Sequence, residues 1–264
     1  MYPILGRYGP FFLYSYTVVL GLGLAAGIGL SAWFVKKEAD GKLNTSRFHG
    51  WLDGLLVSLA AALVGGRVGF VWANWSYFQE APDEIVLVWQ GGLSYHGALV
   101  CGLLTYWLWC LWHRRNGRTQ NSFTAYAALL MPGFVLTHLF GWLACWLEGC
   151  AFGREAVIGL FTADLPDSFG VFAVRYQSQL LGFGLTAIIF VAVLLLRKRL
   201  KEGAFLWLAF GLVSAGYGVV TLFRGDSVPL VGAFRLDTLM SVGLLLVSLV
   251  GFGLQFREKE QLER

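Results

Sequence analysis

Residues 11–35 read FFLYSYTVVLGLGLAAGIGLSAWFV, a run without a single charged side chain. About 20 consecutive apolar residues in a helix are enough to cross the hydrocarbon core of a bilayer. No small-residue cleavage site closes this run, so we expect it to be retained rather than removed as a signal peptide. The run therefore predicts a membrane-spanning helix.

Six further apolar runs follow, and the composition as a whole is that of a membrane protein. The chain has 264 residues, of which 57% are hydrophobic and 14% charged, whereas soluble domains have about a quarter charged residues. Glycines and tryptophans are numerous, at 34 and 11, which suits close helix crossings and headgroup anchoring. The small-residue pairs Gly23 with Gly27 and Gly65 with Gly69 predict tight crossings. We predict an all-α polytopic membrane protein, a single transmembrane domain over residues 1–264. The seven predicted spans are 11–35, 50–73, 93–112, 123–147, 178–196, 204–223 and 236–254.

The charged residues between the spans predict the orientation. Basic residues follow the first, third and fifth spans, namely Lys36, Lys37, Arg114, Arg115, Arg197, Lys198 and Arg199. The segment 74–90 carries Glu80, Asp83 and Glu84 and no basic residue. Because Lys and Arg close to span ends stay cytoplasmic, the N-terminus is predicted outside and the C-terminus inside. Residues 150–176 are too polar to span and are predicted to form a small outer subdomain.

His96 lies just inside the third span, in the stretch GGLSYHGALVCG. An ionisable ring in hydrocarbon is costly unless it is paired or lines a wet cavity, so its position indicates a site. The glycine-rich entrance leads to a helix start, whose unpaired N–H groups favour anions. A neutral imidazole there is suited to take a proton from a nucleophile. The alternative is a core histidine that donates to a carbonyl.

The outer half of the predicted bundle is rich in arginine. Its cations are Arg67, Arg154, Arg175, Arg224 and Arg235. Guanidinium groups bind phosphate in a bidentate manner, so we predict a pocket for a phospholipid headgroup. The alternative is that each arginine extends to the outer headgroups. That alternative fits Arg67 least, because Arg67 lies more than a helical turn inside Trp72.

The cysteines do not form an extracellular framework. Cys101, Cys110, Cys145 and Cys150 all lie in or beside apolar segments. We therefore predict no disulfide scaffold and buried, unreactive thiols. His138, Cys145 and Cys150 lack the tight spacing of a chelating pair, so we expect no metal site. We expect no cofactor and no nucleic-acid partner, and we expect Glu148 to pair with an arginine rather than to act in catalysis.

Six segments, taken in order, resemble the prolipoprotein diacylglyceryl transferases. They read YGPFFLYSYTVVLG, GGRVGFVWANWSYF, VWQGGLSYHGALVCG, GWLACWLEGCAFGRE, RYQSQL and GYGVVTLFRGD. The resemblance implies a seven-span enzyme of the bacterial inner membrane. It would move a diacylglyceryl group from phosphatidylglycerol, or a similar anionic phospholipid, to the lipobox cysteine thiol of a prolipoprotein signal peptide. Glycerol phosphate would be released.

The resemblance also implies roles for individual residues. His96 and Gly97 match the essential His-Gly pair of the family, and Gly153 and Arg154 match the Gly-Arg that closes its signature. Catalytic roles are implied for His96, Arg67 and Arg154. Substrate-binding roles are implied for Tyr16, Gly97, Ser178, Gln179 and Arg224.

The signature motif differs from that of the family. The family reads Gly-Arg-x-Gly-Asn, whereas here Trp142 follows Gly141, and cysteines stand at two polar positions further on, Cys145 and Cys150. Removing one charge-assisted contact to a leaving phosphate costs about 2–4 kcal/mol of transition-state stabilisation. An active enzyme needs another arginine to replace that contact. The candidates are Arg67, Arg154 and Arg224.

Two functions follow from these observations. The first is the transferase, with the phospholipid and the prolipoprotein as partners. The second is a non-catalytic relative that binds lipid and docks on other membrane subunits, with Trp142 filling the old phosphate pocket. A transporter is disfavoured because no internal repeat or matched pair of broken helices is visible.

Overall fold

Seven long helices lie where the apolar runs predict them. The computed structural model describes residues 3–9, 11–39, 50–88, 91–117, 123–167 and 169–262. Its helices are α1 (Ser15–Ala39), α2 (Gly50–Ala73), the short α3 (Trp75–Glu80), α4 (Tyr95–Arg115), α5 (Phe123–Glu148), α6 (Ser178–Leu196), α7 (Glu202–Thr221) and α8 (Leu236–Leu262). Six of them are long and apolar enough to cross a membrane. The 21-residue α4 has the length but is less apolar, because it contains two histidines and ends in two arginines.

The chain is mostly helical, as predicted, but it is not all-α, because the described residues also form three antiparallel hairpins. Their strands are β1 (Ile4–Tyr8) with β2 (Phe11–Tyr14), β3 (Thr162–Pro166) with β4 (Phe172–Tyr176), and β5 (Leu230–Val231) with β6 (Phe234–Arg235). All three lie outside the helices that could cross a membrane. The region predicted as a small subdomain, residues 150–176, contains the β3–β4 hairpin.

The chain divides into two compact units. Residues 1–35 and 127–264 form the first unit, and residues 36–126 form the second. The single transmembrane domain over residues 1–264 remains a prediction.

In the second unit, α2 and α4 pack against each other in an antiparallel arrangement along their lengths. Gly54 of α2 lies against Trp109 near one end, and Gly69 lies against Ser94 near the other. Between them, Gly65 and Gly97 meet so closely that a side chain on either would touch the backbone oxygen of the other. Small residues let helix backbones approach in this way, which confirms the predicted tight crossing at Gly65 and Gly69.

The Gly97→Ala variant tests this crossing. An added Cβ would lie 2.4 Å from the Gly65 carbonyl oxygen, a backbone atom that cannot move aside. Overpacking of this kind destabilises by about 1–3 kcal/mol, so we expect a lower midpoint of thermal unfolding in detergent. Gly243→Ala in α8 is the matched control, because nothing lies within 4 Å of its added Cβ. Equal midpoints for the two variants would contradict the close approach.

In the first unit, glycines make similar crossings. Gly27 of α1 lies against Gly133 and Thr137 of α5, and Gly23 lies against Phe140 of the same helix. These contacts confirm the tight crossing predicted at Gly23 and Gly27. The pair α7 and α8 is joined near the end of α7 by the hydrogen bond from the Thr238 hydroxyl to the Thr221 hydroxyl, at 2.8 Å.

Candidate functional site

His96 lies in the first turn of α4, and its ring is buried, with 6% of its surface exposed. Ser94 caps the helix, since its Oγ accepts a hydrogen bond from the Gly97 N–H at 3.3 Å. The Ser94 N–H donates to the Gly66 carbonyl at 2.8 Å, which ties the start of α4 to α2. The imidazole is therefore held at a helix N-terminus, where the helix dipole favours negative charge.

Arg67 holds the loop that leads into α4. Its Nε donates to the Ile85 carbonyl at 2.8 Å and its Nη1 to the Gly91 carbonyl at 2.7 Å. Further hydrogen bonds reach the carbonyls of Glu84 and Gly92. Gly91 and Gly92 have φ of 90° and 74°, a left-handed conformation that glycine adopts without strain. All three guanidinium nitrogens are thus bound to backbone oxygens, and Arg67 is only 8% exposed.

Ser178 and Gln179 hold the turn that follows α5. The Ser178 hydroxyl donates to the Ala151 carbonyl at 2.5 Å, and the Gln179 amide donates to the Cys150 carbonyl at 2.9 Å. Gly149 ends the helix with φ of 92°, and Ala151 also has a positive φ, 54°. Both side chains at the start of α6 are almost fully buried. Their contact with a substrate remains a prediction.

The prediction of four unpaired cysteines was wrong for Cys145 and Cys150, which form a disulfide bond. The turn at Gly149 brings the two together with their Cα atoms 4.7 Å apart, within the range that a disulfide bridges. Cys101 and Cys110 are free thiols. The disulfide therefore joins the last turn of α5 to the turn held by Ser178 and Gln179.

Thiol counting tests the disulfide. Alkylation of the denatured protein without reductant should modify two cysteines, and alkylation after reduction should modify four, as measured by intact mass. Because the bond closes a short loop, we expect Cys145→Ser to lower the free energy of unfolding by about 2 kcal/mol. Four modified cysteines in the unreduced protein would contradict the pairing.

A small β-structure carries Arg154. Backbone hydrogen bonds join the Arg154 N–H to the Phe223 carbonyl at 2.9 Å and the Gly225 N–H to the Phe152 carbonyl at 2.8 Å. On the other side, the Tyr176 N–H donates to the Arg154 carbonyl at 3.2 Å. The segment from Phe152 to Ala156 therefore lies between β4 and the chain that follows α7.

Arg224 belongs to a network of two arginines and two aspartates. Its Nε donates to Asp226 at 2.9 Å, its Nη1 donates to the Tyr217 hydroxyl at 2.7 Å, and Asp237 lies 3.5 Å away. Arg235 also bonds to Asp226 and Asp237, at 3.2 and 3.1 Å. Burial lowers the pKa of Arg224, but Tyr217 and the two carboxylates raise it, so the net shift is upward.

Arg175 is likewise neutralised by carboxylates. It is 6% exposed and forms ion pairs with Glu155 at 3.2 Å and with Asp167 at 3.3 Å. Backbone N–H groups, first that of Val171, lower the pKa of the Asp167 carboxyl, and Arg175 adds to that effect. Arg175 and Arg235 are therefore held in ion pairs within the protein, which does not fit the alternative that they extend to lipid headgroups.

Arg154 differs from these neighbours. Its side chain is exposed, and its guanidinium lies 5.6 Å from the centre of the Tyr176 ring. Across the described residues, no carboxylate pairs with Arg154, whereas Arg175, Arg224 and Arg235 all have ion pairs. Compared with Arg175, Arg224 and Arg235, Arg154 is thus the cation that an incoming anion can reach without displacing a carboxylate.

Trp142, at the altered position of the signature, is buried in the first unit. Its ring packs on Gly182 of α6 and lies 5.8 Å from the Tyr217 ring, and its N–H donates to His138 Nε2 at 3.3 Å. Tyr217 also accepts a hydrogen bond from Arg224. The indole therefore fills space between helices, and the tyrosine beside it binds an arginine.

Glu148 has no arginine partner in the described part of the chain, contrary to expectation. One carboxylate oxygen, Oε2, is buried and has no hydrogen-bond partner. Tyr16, half-buried in the first turn of α1, lies within electrostatic range of this carboxylate. A buried carboxylate oxygen without a donor is costly, so its position identifies Glu148 as a further candidate site residue.

Several residues of this region were not identified from the sequence. They are Tyr217, Asp226 and Asp237, whereas Glu148 was identified but given a different role. Asp226 follows Arg224 by two residues, and this spacing was the available signal, because short pairs of this kind form ion pairs in turns. Asp237 opens α8, where an acidic residue also favours the helix N-terminus, so its pairing with Arg224 depends on the fold.

Comparison with known proteins identifies the family. The family model described as "Prolipoprotein diacylglyceryl transferase" matches residues 3–254. A relative from Streptococcus uberis, named phosphatidylglycerol–prolipoprotein diacylglyceryl transferase, is 26% identical over 97% of this chain and 96% of its own length. Relatives of the same name from Bacillus cereus and Bacillus licheniformis are each 28% identical over 92% of this chain, and over 87% and 88% of their own lengths. With the match running from the N-terminal hairpin to the last membrane helix, the chain belongs to the prolipoprotein diacylglyceryl transferase family.

Proposed function

We propose that the protein transfers a diacylglyceryl group from phosphatidylglycerol to the lipobox cysteine thiol of a prolipoprotein. The observation that carries this proposal is the family match over residues 3–254, a range that includes every site residue implied by the sequence. The relatives named for this activity align with nearly the whole chain. In the reaction, the sulfur–carbon bond forms as the bond between the glycerol carbon and the phosphate oxygen breaks, and glycerol phosphate leaves.

The thiol must lose its proton, and His96 is the proposed base. A cysteine thiol has a pKa of about 8.5, so only a few per cent is ionised at neutral pH. An imidazole titrates closer to neutrality and can accept that proton as sulfur attacks. The buried position of His96 at a capped helix start supports this role, since a helix N-terminus favours the negative charge that develops on the sulfur.

The leaving phosphate must be stabilised, and Arg154 is the proposed cation for it. Exposure and the absence of an ion pair in the described residues support this choice over Arg175 and Arg235. Arg224 is proposed to assist from the paired network, where it keeps its charge. A guanidinium contributes most when it meets charge that develops in the transition state.

The remaining residues implied by the resemblance are proposed to position the site. The hydrogen bonds of Arg67 support a role in shaping the loop before α4 rather than direct contact with phosphate. Those of Ser178 and Gln179 support a role in holding the Cys150–Ala151 turn. The packing of Gly97 supports a role in bringing α4 to α2. Tyr16, beside the unpaired carboxylate of Glu148, is proposed to contact the substrate.

We further propose that the chain crosses the bacterial inner membrane seven times, with α4 as the seventh span and the N-terminus outside. The distribution of Lys and Arg supports this orientation. The Cys145–Cys150 disulfide supports it as well, because disulfides persist in oxidising compartments outside the cytoplasm. In this proposed topology, the β3–β4 hairpin and Arg154 lie on the outer side. Association with other membrane subunits remains a prediction.

Release of glycerol phosphate tests the function. The purified protein in phosphatidylglycerol nanodiscs is mixed with a lipobox peptide, and glycerol phosphate is measured over time. We expect release that requires the peptide and stops when the peptide cysteine is replaced by serine. Release without any peptide would indicate a lipase instead. No release, together with unchanged lipid binding in a His96→Ala variant, would favour the non-catalytic lipid-binding alternative.

A further inference from the structure

A cluster of highly exposed apolar side chains lies in the loop that precedes β3. Val157, Ile158 and Leu160 are 89%, 83% and 84% exposed, and Phe161 is 61% exposed. Residues 156–163 read AVIGLFTA and contain no charged side chain. An exposed apolar cluster of this kind marks a surface that is covered by another phase or molecule.

Within this loop, Gly159 and Thr162 are joined by hydrogen bonds. The Gly159 N–H donates to the Thr162 hydroxyl at 2.8 Å, and that hydroxyl donates back to the Gly159 carbonyl at 2.8 Å. The Thr162 N–H also reaches the Gly159 carbonyl at 3.3 Å. The turn therefore presents apolar side chains outward while the bonded groups of Gly159 and Thr162 are satisfied internally, which lowers the cost of bringing those groups toward a lipid layer.

Phe161 has a strained backbone conformation although its side chain makes few contacts within the protein. Its φ is 65°, in the left-handed region that is strained for a bulky residue. More than half of the ring surface has no protein contact. Packing of the ring inside the protein therefore offsets little of this strain, and the ring is available for contact with the surroundings.

The loop is fixed at the level where α6 enters the membrane. The Gln177 N–H donates to the Phe161 carbonyl at 2.8 Å, and the Gln177 amide reaches the Thr162 carbonyl at 3.4 Å. The next residue, Ser178, begins a helix long and apolar enough to span. Leu180, in the first turn of that helix, is 55% exposed, so the apolar surface of the loop continues that of a membrane helix.

We propose that residues 157–161 form a wedge that inserts into the lipid leaflet in which α6 begins. The wedge anchors the β3–β4 hairpin to the membrane surface, at the depth of about 5–10 Å that interfacial apolar segments reach. The absence of charged groups fits a lipid environment better than a specific peptide. The opposite end of the hairpin lies about 14 Å along the strands from this base. Phe169 is also exposed there, but the ion-paired Asp167 beside it leads us to expect that this end stays in water.

Spin-label accessibility tests the wedge in the full chain reconstituted in nanodiscs. Leu160→Cys is labelled in a Cys101→Ala, Cys110→Ala background, where the introduced cysteine is the free thiol. Phe169→Cys is the matched control, because Phe169 is equally exposed, at 90%, but lies at the far end of the hairpin. Val157→Cys provides a second wedge position, since the Val157 side chain is 89% exposed and makes few contacts within the protein.

The wedge predicts frequent collisions of the labels at 160 and 157 with oxygen. Collisions of these labels with a water-soluble nickel chelate should be at least about threefold rarer than those of the label at 169. Equal nickel collisions at all three sites would place the loop in water and overturn the proposal. Labels shielded from both reagents, or labels that become shielded when a lipobox peptide is added, would show a protein or peptide contact and overturn it as well. The readout does not depend on transferase activity.

Discussion

Replacing His96 by glutamine is expected to lower the rate of diacylglyceryl transfer by about 10²–10⁴-fold, the usual contribution of a general base. The ring is buried in the first turn of α4, and glutamine keeps a polar side chain of similar length there. The fold should therefore be retained while the proton acceptor is lost. Initial rates with a lipobox peptide, together with thermal unfolding of the same samples, measure both effects.

The pH dependence separates a base from a structural residue. Without His96, transfer depends on thiol that has ionised by itself, so the rate of the variant should rise about tenfold per pH unit up to the thiol pKa of about 8.5. His113→Gln is the matched control, because His113 lies on the same helix about 25 Å away and bonds to the Trp109 carbonyl. It should keep its activity. A His96 variant whose activity stays low at every pH would indicate a structural role.

The Arg154→Ala variant is expected to lower kcat/KM for phosphatidylglycerol by about 10²–10³-fold, corresponding to about 2.7–4 kcal/mol of lost transition-state stabilisation. Arg154 is exposed, and its guanidinium makes a cation–π contact with Tyr176. Such a contact contributes about 1 kcal/mol or less at an exposed site. Stability should therefore change little. Steady-state kinetics and thermal unfolding, recorded side by side, measure the two quantities.

A lysine at the same position should restore part of this loss, since lysine keeps the charge but not the bidentate geometry. Arg199→Ala is the matched control, because Arg199 is an exposed cation outside the β-structure that carries Arg154. Its activity should be close to that of the unmodified protein. The same loss in both alanine variants would mean that general surface charge, rather than Arg154, binds the phospholipid.

The long helices could be predicted because apolar runs of sufficient length have one stable arrangement in a bilayer. The glycine crossings could be predicted as well, and Gly65 with Gly97 shows why, since close approach requires small residues on both helices. The hairpins could not be predicted in the same way. Strands of two to five residues, such as β5 and β6, leave almost no periodic pattern in the sequence.

The site was only partly predictable, because most of its contacts depend on turns. The disulfide requires Gly149 to adopt a left-handed conformation that brings Cys150 back to Cys145. The hydrogen bonds of Arg67 likewise depend on Gly91 and Gly92. The residue types indicated anion binding by arginine. Which arginine is paired and which is exposed depends on carboxylates that only the folded chain brings together.

The mass of the peptide product tests the proposed transfer most directly. A lipobox peptide is incubated with the protein in nanodiscs of phosphatidylglycerol with defined acyl chains, and its intact mass is then recorded. A mass increase equal to one diacylglyceryl group, located on the cysteine sulfur by fragmentation and greatly reduced with the His96→Gln variant, is the expected result. A peptide recovered at its original mass, under conditions where a relative such as the Bacillus cereus protein modifies it fully, would contradict the assignment.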